Sequence, residues 1–192
     1  MSGALAAKDS RRVRGELESA VHLCEPDEVE EILLQSYLFL GYPAALSGLA
    51  IWRDVSGRDA ALSFDEHVAD TAERGDALCR RVYGANYDAL RRNIAALHPA
   101  IDRWMVTEGY GRVLARPGAP LELREVCAVG LLAVLDAPPQ LHSHLRGACA
   151  VGVPPGDVEQ VLSSVEEFMS EGAIERTRST WKKVRSRCSS IE

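Results

Sequence analysis

The 192-residue sequence predicts an all-helical protein, and three observations carry that prediction. Apolar residues recur at three- and four-residue intervals through one segment after another, as at Val126, Val129, Leu132 and Leu135. No segment alternates apolar and polar residues over the length of a strand. Proline and glycine fall between the periodic segments, where helices start and stop.

Residues 1–9 read as a frayed tail. The first long helix covers about Ser10 to Leu23, with Val13, Leu17, Ala20 and Val21 on one face. Pro26 and Asp27 open a second helix, DEVEEILLQSYLFL, whose first turn is acidic, as the helix dipole favours. It stops at Gly41-Tyr42-Pro43, and a third helix, PAALSGLAIWRDV, follows directly. Val55 to Ser63 is a polar loop. Phe64 to Val82 is amphipathic, with Val68, Ala72, Leu78 and Val82 as its stripe, and Gly84 interrupts it. Tyr87 to Leu97 and Pro99 to Tyr110 make two more helices, divided at His98-Pro99. Gly109-Tyr110-Gly111 and Arg116-Pro117-Gly118 mark a loop into a helical hairpin from Leu121 to Gly152. Pro120 suits its start, Asp136, Pro138 and Pro139 form its turn, and Gly152 ends it. Pro155-Gly156-Asp157 then caps the helix DVEQVLSSVEEFM, which Gly172 ends. A basic helix from about Ile174 to Arg187 carries Trp181 and Val184.

With 46% hydrophobic and 26% charged residues the chain can build one domain with a real core. A net charge of −6 offers no attraction to nucleic acid or anionic membranes. No apolar run approaches the roughly 20 residues needed to span a bilayer, and the first twelve residues are too polar for a secretory signal. The expected setting is the cytoplasm. The five cysteines contain no CxxC pair, so they read neither as a disulfide framework nor as a zinc site. Cys127 and Cys149 read as small buried apolar residues. His22, His67 and His98 have no metal-ligand spacing, so no metal and no cofactor is expected.

The chain also repeats itself. Displacing it by 129 residues lays Val29-Glu30-Glu31-Ile32-Leu33 on Val158-Glu159-Gln160-Val161-Leu162, Phe39 on Phe168 and Trp52 on Trp181. The half-repeats run over about 10–55 and 121–187, with a helical linker over 56–120. In this register Gly15 stands where the later copy has His144, so only one half carries the imidazole.

Two ionisable groups stand out in the apolar hairpin: Glu125 near the start of its first helix and His144 within its second. The runs Leu123-Arg124-Glu125-Val126, His144-Leu145-Arg146-Gly147-Ala148 and Gly152-Val153, followed by Asp157 to Val161, resemble the core of the carboxymuconolactone decarboxylase superfamily. That superfamily also contains the alkyl hydroperoxidase D-like proteins. The Gly-x-Pro break at residues 41–43 and the stretch leading into the hairpin extend the resemblance over nearly the whole chain. The peroxidase branch carries Glu-x11-Cys-x2-Cys-x3-His. Glu125 and His144 keep the outer frame, while Ala137 and Gln140 occupy the two cysteine positions.

The resemblance implies a small-molecule enzyme of the decarboxylase-like branch. In it Glu125 orients His144, and His144 acts as general acid–base on a lactone or carboxylated substrate. It also implies a homo-oligomer, a trimer or a hexamer. Arg124 is a candidate for holding a substrate carboxylate, with Tyr42 and Trp104 as candidate pocket walls. Arg146 and His142, each two residues from His144, lie off its helix face. Each candidate has a plainer reading: a dipole-paired glutamate, a core histidine, a surface arginine, packed aromatics. Two other functions stand beside the first: a non-catalytic oligomeric binding protein, and a thiol peroxidase that would have to recruit Cys127 or Cys149. One geometric difficulty attends the pair. If the hairpin turns near Ala137, the two residues are offset by roughly 7–8 Å along the helix axes, a gap for crossing helices, long side chains or a water to close.

Overall fold

The computed structural model describes residues 1–59 and 68–188, and these are helical with no strand among them. They fall into two compact units, one from residues 1–59 and 118–188, the other from 68–117. Residues 60–67, which take in part of the predicted loop, the start of the next predicted helix and His67, lie outside the described residues. No single described helix is long and apolar enough to cross a membrane.

The first unit contains α1 (Ser2–Ala6), α2 (Ser10–Leu23), α3 (Pro26–Gln35) and α4 (Tyr37–Ser56). After the second unit's segment come α8 (Leu121–Val134), α9 (Pro138–Ala150), α10 (Pro155–Val165) and α11 (Glu171–Cys188). The first nine residues are not a frayed tail. Ala4 and Leu5 are buried, because α1 lays its small apolar face on α8. Asp9 then caps α2, accepting a hydrogen bond from the Arg12 N–H at 3.0 Å.

The predicted continuous helix from Asp27 to Leu40 is broken at Ser36, and the axis turns by 119° between α3 and α4. The Ser36 hydroxyl donates to the Leu33 carbonyl at 2.6 Å, bonding locally back onto the preceding turn. Gly41 leaves helical geometry inside α4 (φ 76°, ψ 171°), where the Gly-Tyr-Pro sequence predicts a break.

The internal repeat is a property of the fold. A cluster of buried apolar residues in the early half contains Ala4, Leu5, Val13, Leu17, Ala20, Val29, Leu33 and Trp52. Each has its counterpart in the later cluster: Leu132, Ala133, Leu141, Leu145, Ala148, Val158, Leu162 and Trp181. Trp52 Nε1 donates to Glu30 at 3.2 Å, and Trp181 Nε1 donates to Glu159 at 3.2 Å. The displacement is 128 residues through α2 and 129 from α3 onward, because the link between α9 and α10 holds one extra residue near Gly152 (φ 91°). This corrects the partner of His144. In the register set by the buried residues it is Glu16, on the half-exposed face of α2, and not Gly15.

The second unit contains α5 (Val68–Tyr83), a 3-10 turn (Gly84–Asn86), α6 (Tyr87–Leu97), α7 (Pro99–Trp104) and a π-helical segment (Met105–Leu114). The loop predicted at Gly109–Gly111 is therefore helical. Of its two glycines Gly111 serves packing: a β-carbon there would fall inside the Thr71 carbonyl, just as one on Gly75 of α5 would fall inside that of Val106. Arg91 joins α6 to α7, giving Nε and Nη2 to the Asp102 carboxylate at 2.5 and 2.8 Å. Tyr87 donates to Asp76 and accepts from Arg91.

Cys149 and Cys188 are bonded as a disulfide, which joins α9 to the end of α11. Thus Cys149 is not a free packing residue. The thirty-nine-residue separation hid the pair in the sequence, and the parallel packing of α11 against α9, with Arg176 beside Asp136 at their starts, brings the two Cα atoms at their ends to 5.7 Å.

Candidate active site

α8 and α9 form the hairpin that carries Glu125 and His144. Pro120, in extended conformation, starts α8, and α9 begins with Pro138 and Pro139 at positions that need no intrahelical N–H. Glu125 is 1% exposed, and its Oε2 lies 2.8 Å from His144 Nδ1. The expected axial gap closes for two reasons. α8 ends at Val134, short of Ala137, which reduces the offset to roughly 4–5 Å. The helices also meet at Gly147, where a β-carbon would stand 2.8–3.0 Å from the Glu125 carboxylate. A glycine in mid-helix costs about 1 kcal/mol relative to alanine. Here it leaves the space that the carboxylate occupies.

The His144 side chain is 14% exposed, so the ring is anchored by a buried group and still reaches the surface of its unit. Phe39 meets it edge-on, with ring centroids 5.5 Å apart. Among the described residues Nε2 of His144 makes no hydrogen bond, and neither does the buried Oε1 of Glu125. Gln35, fully buried at the end of α3, donates its amide to the carbonyl of Arg124 at 2.8 Å. This contact ties α3 to the turn of α8 that carries Glu125. Exchanging the amide's oxygen and nitrogen would oppose two carbonyl oxygens, so the donor assignment is fixed by its partner.

The other candidates have surroundings of their own. Arg124 is 0% exposed and gives Nη2 to Glu31 at 2.9 Å and Nε to the Ala119 carbonyl at 3.3 Å. Its guanidinium is committed within the protein. Gly118 (φ 92°) passes over Glu31 so closely that a β-carbon there would stand 2.9 Å from Glu31 Cγ. Tyr42 is 68% exposed and stacks on Tyr37 at 5.3 Å. Trp104 belongs to the second unit and is 56% exposed.

Gln35, Phe39, Glu31 and Gly147 are parts of this surround that the sequence reading missed. A signal existed for two of them: Gln35 is a lone amide in the apolar run ILLQSYLFL, and Gly147 interrupts an otherwise good helix former sequence. Among the described residues no cluster of histidine, cysteine and carboxylate side chains is arranged to hold a metal ion. The Cys127 thiol on α8 is pushed up by burial, which disfavours the thiolate that peroxide chemistry requires. A groove of about 630 Å³ in the first unit is lined by residues that include Glu159, Trp181, Lys182 and Arg185, and it includes neither Glu125 nor His144. The sequence matches no protein-family model and no curated protein.

Proposed function

We propose that the chain is a carboxymuconolactone decarboxylase-like enzyme in which Glu125 and His144 act as a general acid–base pair on a lactone or carboxylated small molecule. The observation that carries the reading is the 2.8 Å contact between the buried Glu125 carboxylate and His144 Nδ1, at the interval of the outer frame that the superfamily's peroxidase branch carries. Glu125 holds the proton on Nδ1 and thereby leaves Nε2 as the atom that meets substrate. As carbon dioxide leaves a substrate carboxylate, its bonding electrons pass into the conjugated lactone, and a proton must reach carbon. An imidazolium delivers that proton from Nε2, and the carboxylate stabilises the charged ring before transfer.

The test is turnover of an unsaturated γ-lactone bearing a carboxylate, followed as carbon dioxide release. His144→Gln keeps size and some hydrogen bonding, and should abolish turnover with fold and assembly intact. Glu125→Gln should leave a weaker residual rate. Unchanged activity in His144→Gln would overturn the assignment, and unfolding would make His144 a core residue.

The same reading carries a homo-oligomer, trimeric or hexameric. The exposed apolar side chains Tyr42 and Leu46, one turn apart on α4, support it as a surface suited to association. Sedimentation showing a stable 20.9 kDa monomer at micromolar concentration would contradict it.

A further inference from the structure

The two halves of the first unit differ at two matched, neighbouring positions in a way that bears on binding. In the later half Asp136 and Arg176 form a two-pronged ion pair, Nε to Oδ1 at 2.9 Å and Nη2 to Oδ2 at 2.5 Å. In the early half the corresponding residues are Lys8 and Ser47. The match at the turn is close: Lys8 (φ 58°) and Asp136 (φ 50°) are the non-glycine residues with positive φ among those described. Both turns also carry the same hydrogen bonds, Lys8 N–H to Leu5 and Asp9 N–H to Ala4, against Asp136 N–H to Ala133 and Ala137 N–H to Leu132.

The exchange changes what the place can do. A cation stands where the later half has a carboxylate, and a hydroxyl stands where it has a guanidinium, so the internal ion pair cannot form. Lys8 makes no ion pair among the described residues. Beside it opens a cavity of about 320 Å³ with apolar walls that include Leu5, Val13 and Ile51, and polar walls from Lys8, Ser10 and Ser47. An apolar body beside a few polar groups and a single charge is the usual make-up of a site for a small amphiphile.

We infer that this cavity binds a small monocarboxylate with an apolar body, the body seated between α2 and α4 and the carboxylate on the Lys8 ammonium. The ligand carboxylate thus supplies in the early half the negative charge that Asp136 supplies in the later one. Ser47 donates its own hydroxyl proton to the Pro43 carbonyl at 2.9 Å, so it serves as an acceptor toward the ligand's surroundings rather than as a second anchor for the anion. Specificity then rests on one charge, and a neutral alcohol of the same length should bind in the apolar part alone.

The full chain, labelled with ¹⁵N and with ¹³C methyl groups, is titrated with octanoate, octanol and octylammonium. Octanoate should saturate and shift the methyl signals of Leu5, Val13 and Ile51, binding at least about tenfold more tightly than octanol, with octylammonium weakest. Lys8→Asn removes the charge with a residue that tolerates positive φ, and should lower octanoate affinity to that of octanol. The double variant Lys8→Asp, Ser47→Arg rebuilds the later half's ion pair and should lose octanoate binding while melting no lower than the wild type. Equal affinity for octanoate and octanol, an effect of Lys8→Asn below twofold, or shifts confined to other methyl groups would each overturn the inference. The comparison of ligands on the wild-type chain decides the question even if a variant folds poorly.

Discussion

The Glu125 carboxylate occupies the space that a β-carbon on Gly147 would need, at 2.8–3.0 Å, while its Oε2 holds His144 from the same helix three residues earlier. The glycine therefore sets the distance between α8 and α9 at the pair. Gly147→Ala must push the carboxylate away or separate the helices. The expected cost is about 1–3 kcal/mol of stability, as for overpacking elsewhere in protein cores. The more telling readout is the ring itself. In the wild type the ¹⁵N shifts of His144 should report a proton held on Nδ1, and in Gly147→Ala that preference should disappear. A variant with unchanged ring signals would show that the helices absorb the methyl group without disturbing the pair.

Arg124 and Glu31 offer a contrast between a binding role and a scaffolding one. The guanidinium is 0% exposed, and the Glu31 side chain is 11% exposed. Removing one partner of such a pair leaves the other charge buried, at a cost of about 3–5 kcal/mol. Arg124→Met should therefore lower the urea midpoint strongly, and Arg124→Met with Glu31→Leu should recover much of the loss. A substrate-binding arginine would behave otherwise, raising KM with stability unchanged.

Helix periodicity made most of the elements legible: α2 and α6 begin and end where the apolar spacing and the His98-Pro99 step place them. The Glu125–His144 pair was legible only through its interval, since the axial distances seemed to keep the residues apart. What lay beyond the sequence were contacts made by absence or by return of the chain. Gly147 and Gly111 matter for a missing β-carbon, and a loop signal and a close-packing signal are the same letter. Cys149 and Cys188 are joined because α11 packs alongside α9 in the same direction, which no local pattern encodes. The repeat was visible, but the extra residue before α10 displaced its register by one in α2, and so assigned His144 the wrong counterpart.

The cysteines should separate cleanly in alkylation. Cys24 is exposed, Cys79 is buried with its thiol pushed up to about 12 by desolvation, and Cys127 is raised for the same reason. Iodoacetamide at pH about 8 should modify Cys24 first in the native protein, since the thiolate is the reacting form. Denaturation without reductant should expose Cys79 and Cys127 as well, and only a reductant should release Cys149 and Cys188. Mass spectrometry that finds Cys149 alkylated in the unreduced, denatured chain would contradict the disulfide.

The same arrangement makes a prediction about peroxide. With Ala137 and Gln140 at the two cysteine positions of the Glu125–His144 frame, no thiol stands at either, and the cysteine on α9 is bonded to Cys188. Alkyl hydroperoxide supplied with a dithiol should not be turned over. Reduction that vanishes on replacing Cys127 or Cys149 would restore the peroxidase reading.

The last prediction concerns acid stability of the second unit. Hydrogen bonds from Arg91 hold the Asp102 carboxyl below its usual range, against the opposing effect of burial, and the charge of Arg91 adds to them. Asp76 is lowered too, first by Tyr87 and then by Arg80. A carboxylate whose folded pKa lies below its unfolded value stabilises the fold fully above the unfolded pKa, which is about 3.9 for aspartate. That stability is lost as pH falls through the folded value, because in this window the unfolded chain binds more protons than the native one. Asp102→Asn removes the linkage and half of the ion pair. At pH about 7 it should unfold at lower urea than the wild type, and the two midpoints should approach each other as pH falls below about 4. The measurement is the urea midpoint of both proteins from pH 7 to pH 2, followed by tyrosine signals assigned to Tyr83, Tyr87 and Tyr110. A gap that stays constant across the range would mean that the Arg91–Asp102 pair holds α6 to α7 by shape and hydrogen bonding, with no contribution from the charge of Asp102.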